Sequence, residues 1–169
     1  EDAVTPNIDR LAQEGVRFTS AYSPVPLTLP AHTTLLSGVH PKAHGVHINM
    51  RGGVHPDVRT LSQEFQERGF RTGAFLAAWV LHEKFGLGRG FDHYDDVDTQ
   101  GTVNAQRDGE TVTDKALGWL KSERDAPFFA WVHYYDPHTP YTKHAEFTGL
   151  VEDPYDAEIA YMDRQIGRL

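Results

Sequence analysis

The sequence contains no cysteine. Disulfides, thiolate nucleophiles and cysteine-ligated zinc are therefore excluded, and the redox compartment is left open. No apolar run approaches the roughly 18 residues that cross a bilayer. The opening Glu1-Asp2-Ala3-Val4 lacks the basic and apolar segments of a secretory leader, so no membrane span or targeting segment is read here and the localisation stays open. Positive charge is scarce, with 16 Lys and Arg scattered among 24 Asp and Glu and a net charge of −8. Nucleic acid is excluded as a partner, because counterion release needs clustered cations. What is present suits one globular core: 169 residues, 39% hydrophobic and 24% charged. The ten histidines are the unusual count.

Strand-like and helix-like stretches alternate, which predicts an α/β fold with a sheet covered by helices. The first helix is marked by Thr5 as N-cap, Pro6 at the first helical position, Ile8, Leu11 and Ala12 on one face, and Gly15 as the stop. Val16 to Tyr22 reads as a short strand, and Ala31 to Ser37 as a short helix that Pro30 opens and Gly38 ends. Thr60 and Gln63 have capping-box spacing ahead of a helix with Leu61 and Phe65 on its apolar side. Arg71 to Ala77 and Pro127 to Tyr135 read as buried strands. Between them, Gly86 to Thr111 reads as a long excursion, followed by a helix marked by Val112, Ala116, Leu117 and Leu120. A last helix starts near Tyr155, with Ile159, Met162 and Ile166 on its apolar side. Its apolar face implies a further strand that the sequence does not contain, so the chain is expected to be a piece of a larger domain.

Three segments carry candidate chemistry. If Pro30 opens a helix, Thr28 lies just before the first turn, where free N–H groups and the helix dipole favour an anion and a hydroxyl can attack phosphorus or sulfur. The same position also suits a mere loop or capping threonine. His40, His44, His47 and Asn49 share a glycine-containing loop, but no carboxylate stands near to complete a zinc site, and loop histidines are often only solvated. His133 lies inside a strand and reads as a core imidazole or one that supports the site from behind. His138, between Pro137 and Pro140 at the sheet's edge, is the better catalytic candidate.

The ordered set of motifs resembles the sulfatases of the alkaline phosphatase superfamily. It runs from Thr5-Pro6-Asn7-Ile8-Asp9-Arg10-Leu11-Ala12 and Gly15-Val16-Arg17-Phe18 to Thr28-Leu29-Pro30-Ala31-His32 with Leu35-Leu36-Ser37-Gly38, then Pro41 and His44-Gly45-Val46. Gly86-Leu87-Gly88-Arg89-Gly90-Phe91-Asp92, Tyr134-Tyr135-Asp136-Pro137-His138-Thr139-Pro140-Tyr141 and Tyr155-Asp156-Ala157-Glu158-Ile159-Ala160-Tyr161-Met162-Asp163 complete it. The resemblance implies a three-layer α/β/α sandwich with a mostly parallel sheet, of which residues 1–169 are one partial catalytic domain lacking the first strand and the C-terminal part. It further implies a hydrolase of sulfate or phosphate esters that uses a divalent metal (Ca, Mg, Mn or Zn) and acts on a small-molecule, glycan or lipid ester.

The resemblance assigns Thr28 as the nucleophile and a metal ligand. Sulfatases hold Cys or Ser there, oxidised to formylglycine, whereas threonine fills the place in phosphodiesterases and phosphoryl transferases of the superfamily. His32 stands where sulfatases have an arginine that holds the nucleophile region together. Asn49 matches a donor to a nonbridging oxygen, and His138 matches a histidine near the leaving group. The family's lysine and histidine around Trp79 are replaced by Ala78 and Val80. Its metal-binding aspartates are expected outside this sequence, so neither Asp2 nor Asp163 is nominated. Two other readings stay open: a sulfatase-fold binding protein without catalysis, and a membrane phosphoryl or phosphoethanolamine transferase.

Overall fold

A parallel sheet covered on both faces needs strands that are apolar on both sides. Arg71–Leu76 (β1) meets that need, with Thr72 to Leu76 all buried. The computed structural model describes residues 3–97, 106–122, 126–142, 144–147 and 149–169. In it β1 is the central strand, parallel to His93–Asp95 (β2) on one side and to Phe128–His133 (β3) on the other. The register sets Gly73 opposite both His93 and Ala130.

Alternating side chains divide the core in two. Ala74, Leu76 and Trp131 face one cluster, which contains Leu29, Leu36, Val46, Leu81 and Leu87. Phe75 and Ala77 face the other, with Val112 and Ala116. Burying each large side chain fully contributes about 1.5–3 kcal/mol. The helices Thr28–Ser37 and Leu61–Glu67 cover the first face, and Gly109–Ser122 covers the second. With Pro6–Glu14, Pro41–His44 and Pro154–Arg168 the helices are numbered α1 to α6 in chain order. This is the three-layer α/β/α arrangement, with a three-stranded sheet among the described residues.

Several elements differ from the sequence reading. Val16 to Tyr22 is not a strand; Val16, Phe18 and Tyr22 are 80%, 79% and 90% exposed, and no described strand lies alongside to pair with them. α2 begins at Thr28, so Pro30 is its third residue and Thr28 is inside the first turn. The N-cap residue Leu27 has no capping side chain, and the end is closed from elsewhere in the chain. The Gly86 to Thr111 excursion contains β2 and the start of α5, which Asp108 caps by accepting the Thr111 N–H at 2.9 Å. Residues 98–105 of it lie outside the described residues. In α4 the capping box forms, yet Leu61 is exposed while Ser62 is buried, because Ser62 donates to the Arg89 carbonyl at 2.7 Å.

In α6, Ile159, Met162 and Ile166 are only half-buried, while Glu158, Asp163 and Gln165 are buried with Ala157, Ala160 and Tyr161. The buried acids are paired with backbone donors. Asp163 Oδ1 accepts the Ile8 N–H at 2.8 Å and both its oxygens accept the Asn7 N–H, so α6 caps the N-terminus of α1 in place of Thr5. No residue of α1 is buried, and Leu11 is 56% exposed.

Candidate active site

Thr28 sits half-buried at the first position of α2. The next N–H, that of Leu29, is accepted by Asn49 Oδ1 at 2.8 Å. An amide whose oxygen is committed to Leu29 presents its NH2 end as donor, beside the hydroxyl-bearing first turn. A tight turn holds Asn49 there: Met50 adopts φ 61°, a conformation that costs a non-glycine residue about 1–2 kcal/mol. Thr28 and Asn49 therefore converge on one helix N-terminus, where backbone donors and the dipole favour negative charge.

His32 lies one turn on, and its Nδ1 donates to the Thr28 carbonyl at 2.8 Å. It acts on Thr28 through the backbone and so positions it. Burial lowers the His32 pKa, against the opposing effect of the Thr28 carbonyl. The ring meets His133 of β3 edge-on at 4.9 Å and Trp131 at 5.7 Å. Burial, then the neighbouring His32, pushes His133 down to about 3, so it is neutral at physiological pH. His32 also lines a cleft of about 380 Å3 with Tyr22, Pro24, Ala31 and Leu35.

The loop histidines divide. His44 is fully buried, its Nδ1 accepting the Val46 N–H at 3.1 Å, which leaves Nε2 to donate to Thr34 Oγ1 at 3.0 Å. It fastens the Asn49 loop to α2 and is neither solvated nor a metal ligand. His40 and His47 are exposed.

His138 stands apart from Thr28, Asn49 and His32, with no contact to them among the described residues. Its ring is exposed, stacked on Tyr135 at 4.2 Å, with Nδ1 donating to the Thr139 carbonyl at 2.7 Å. Nε2 then faces the Tyr135 hydroxyl at 3.3 Å. The backbone N–H of His138 donates to Glu158 Oε2 at 3.0 Å, and Thr142 N–H donates to Oε1 at 2.7 Å, so α6 holds this loop. Asp136 lies beside Glu158, and burial followed by that carboxylate raises its pKa.

His133 is a buried imidazole, as the sequence reading has it; Glu158 is the residue to which that reading gave no role. A glutamate at an inward position of an otherwise apolar helix face is the signal that marks Glu158. Among the described residues no trio of carboxylate and imidazole groups surrounds Thr28; the one compact trio is Asp136, His144 and Glu158. The groups around Thr28 do not by themselves complete a metal shell.

A three-layer α/β/α fold that sets a hydroxyl and an amide donor at one helix N-terminus defines the class of the protein. A family model described as Sulfatase matches residues 1–169. The chain belongs to the sulfatase family. It is 29% identical over 188 residues to the uncharacterized sulfatase YidJ of Escherichia coli (strain K12), covering 89% of this chain and 37% of that protein. The solved structure of Ps i-CgsB superimposes with a TM-score of 0.82 at 24% identity, over 99% of this chain and 49% of that one. Phosphonate monoester hydrolase of Agrobacterium radiobacter superimposes with a TM-score of 0.72 at 18% identity, over 98% of this chain and 53% of that one. The chain thus spans about a third to a half of the length of these relatives. No helix among the described residues is long and apolar enough to cross a membrane.

Proposed function

We propose that the whole protein hydrolyses esters of phosphate or sulfate, with Thr28 as the nucleophile. The observation that carries this reading is the convergence of Thr28 and the Asn49 amide on the N-terminus of α2. The Thr28 oxygen bonds to the phosphorus or sulfur centre as the bond to the leaving oxygen breaks. The hydroxyl proton passes to solvent, and the leaving oxygen takes a proton from water. Asn49 Nδ2 donates to a nonbridging oxygen, whose charge grows in the transition state. Water then attacks the same centre and releases the threonine.

An unoxidised hydroxyl favours phosphate over sulfate, since attack of water on the phosphothreonine gives an accessible return path. The substrate class is a small-molecule, glycan or lipid ester, held in part through a divalent metal whose remaining ligands do not surround Thr28 among the described residues.

The test is a panel of aryl phosphate and sulfate mono- and diesters assayed on the whole protein with Mg, Ca, Mn and Zn in turn. Thr28→Ala is expected to abolish turnover and leave the fold intact. Mass spectrometry of an acid-quenched reaction should find the phosphoryl group on the Thr28 peptide. Unchanged turnover by Thr28→Ala would remove the nucleophile assignment and favour a binding protein on the same fold.

A further inference from the structure

Asp136, His144 and Glu158 come from three places in the chain: the segment after β3, the loop before the turn at Ala145–Phe147, and the second turn of α6. One ligand atom from each lies within 4.8 Å of the others. Asp136 Oδ2 and His144 Nε2 are both closed to solvent, and neither has a hydrogen-bond partner among the described residues. Leaving two such atoms unpaired costs about 1–3 kcal/mol each. A cation between them removes both costs at once.

The three groups are held before any ion arrives. Glu158 is 3% exposed and accepts one backbone N–H on each oxygen, which leaves further lone pairs to coordinate. The His144 ring lies flat on Tyr161, with centroids 4.1 Å apart and planes 7° from parallel. Tyr161 is itself fixed, its hydroxyl accepting the Glu110 N–H at 2.9 Å. His144 also lines a surface cavity of about 280 Å3 with Phe147, Val151, Pro154 and Ala157, so the cluster has solvent on one side.

The geometry points to one further metal site: Asp136, His144 and Glu158 bind a divalent cation of the zinc class, separate from any metal at Thr28. The donor set selects the ion. Magnesium and calcium take oxygen ligands, whereas one imidazole with two carboxylates suits zinc, with an open position for water. Thr28, Asn49 and His32 make no contact with this trio among the described residues. The ion's role is to clamp. It joins the end of β3 to α6 and, through the Glu158 bond to the His138 N–H, fixes the loop that carries His138.

The whole protein, stripped with chelator, reloaded with zinc sulfate and desalted, tests this by metal analysis. Wild type should retain about one molar equivalent of zinc more than Asp136→Asn or His144→Phe, two changes that keep shape and ring stacking while removing a ligand. Thr28→Ala should keep that equivalent, which separates this site from the nucleophile. Equal zinc in wild type and both variants overturns the proposal, as does full displacement of the equivalent by equimolar magnesium or calcium. A zinc-edge anomalous map of wild-type crystals decides independently of how the variants fold: a peak enclosed by the three side chains supports the site, and none at saturating zinc overturns it.

Discussion

His133 makes the protein acid-sensitive by an amount that follows from its surroundings. The ring is buried against His32 and titrates near pH 3 in the fold, against 6.5 for a free histidine. The folded state therefore refuses a proton that the unfolded chain accepts. A histidine depressed in this way contributes stability that is complete above pH 6.5 and is lost progressively as the pH falls towards about 3. Between pH 7 and pH 5 the loss from His133 alone comes to about 2 kcal/mol. His32, also lowered by burial, adds to the loss with the same sign. His133→Phe keeps an aromatic edge against His32 and removes the buried nitrogen Nδ1 that has no partner among the described residues. Urea unfolding of the whole protein, followed by tryptophan fluorescence, should show wild type losing about 2 kcal/mol more than the variant over that interval. At pH 7 the variant should match or exceed wild type. Histidine NMR supplies the direct check, with the His133 signals unshifted down to pH 5. A midpoint near 6 for His133, or an equal acid loss in the variant, would refute the reasoning.

Two further outcomes separate structure from chemistry. Asn49→Asp keeps an oxygen for the Leu29 N–H and loses the NH2 donor. Its melting temperature should therefore hold while kcat falls by about 10²–10³-fold, and an undiminished kcat would restrict Asn49 to capping. Asp163→Ala leaves the Asn7 and Ile8 N–H groups unpaired and should cost about 2–4 kcal/mol in denaturant unfolding. A cost below about 0.5 kcal/mol would show that water replaces the carboxylate.

What was legible in the sequence follows the physics of each element. β1 stands out because it is buried on both faces, and β3 because Phe128 to Val132 is an unbroken apolar run, although only Trp131 of it is fully buried. β2 has only His93, Tyr94 and Asp95, and its existence depends on pairing with Gly73 to Phe75, to which no local pattern points. The start of α2 was misplaced because its cap is Asn49, twenty residues away, and not a polar residue at Leu27. Thr28 and Asn49 were nominated through motif order, and the structure brings them to one helix end. The trio of Asp136, His144 and Glu158 was not, because its members have no common spacing and meet only once α6 packs beside the end of β3.

The carboxylate of Asp163 that caps α1 joins residues 156 positions apart. Closing a loop of that length costs about 4–5 kcal/mol of chain entropy before the contact returns anything. α1 buries no residue of its own with which to meet that cost early. It is therefore expected to dock last, onto the α6 that packs against α5, and to be the first element to leave. In kinetic terms the Asp163 contact is expected on the native side of the barrier, so its loss should speed unfolding and leave the folding rate unchanged.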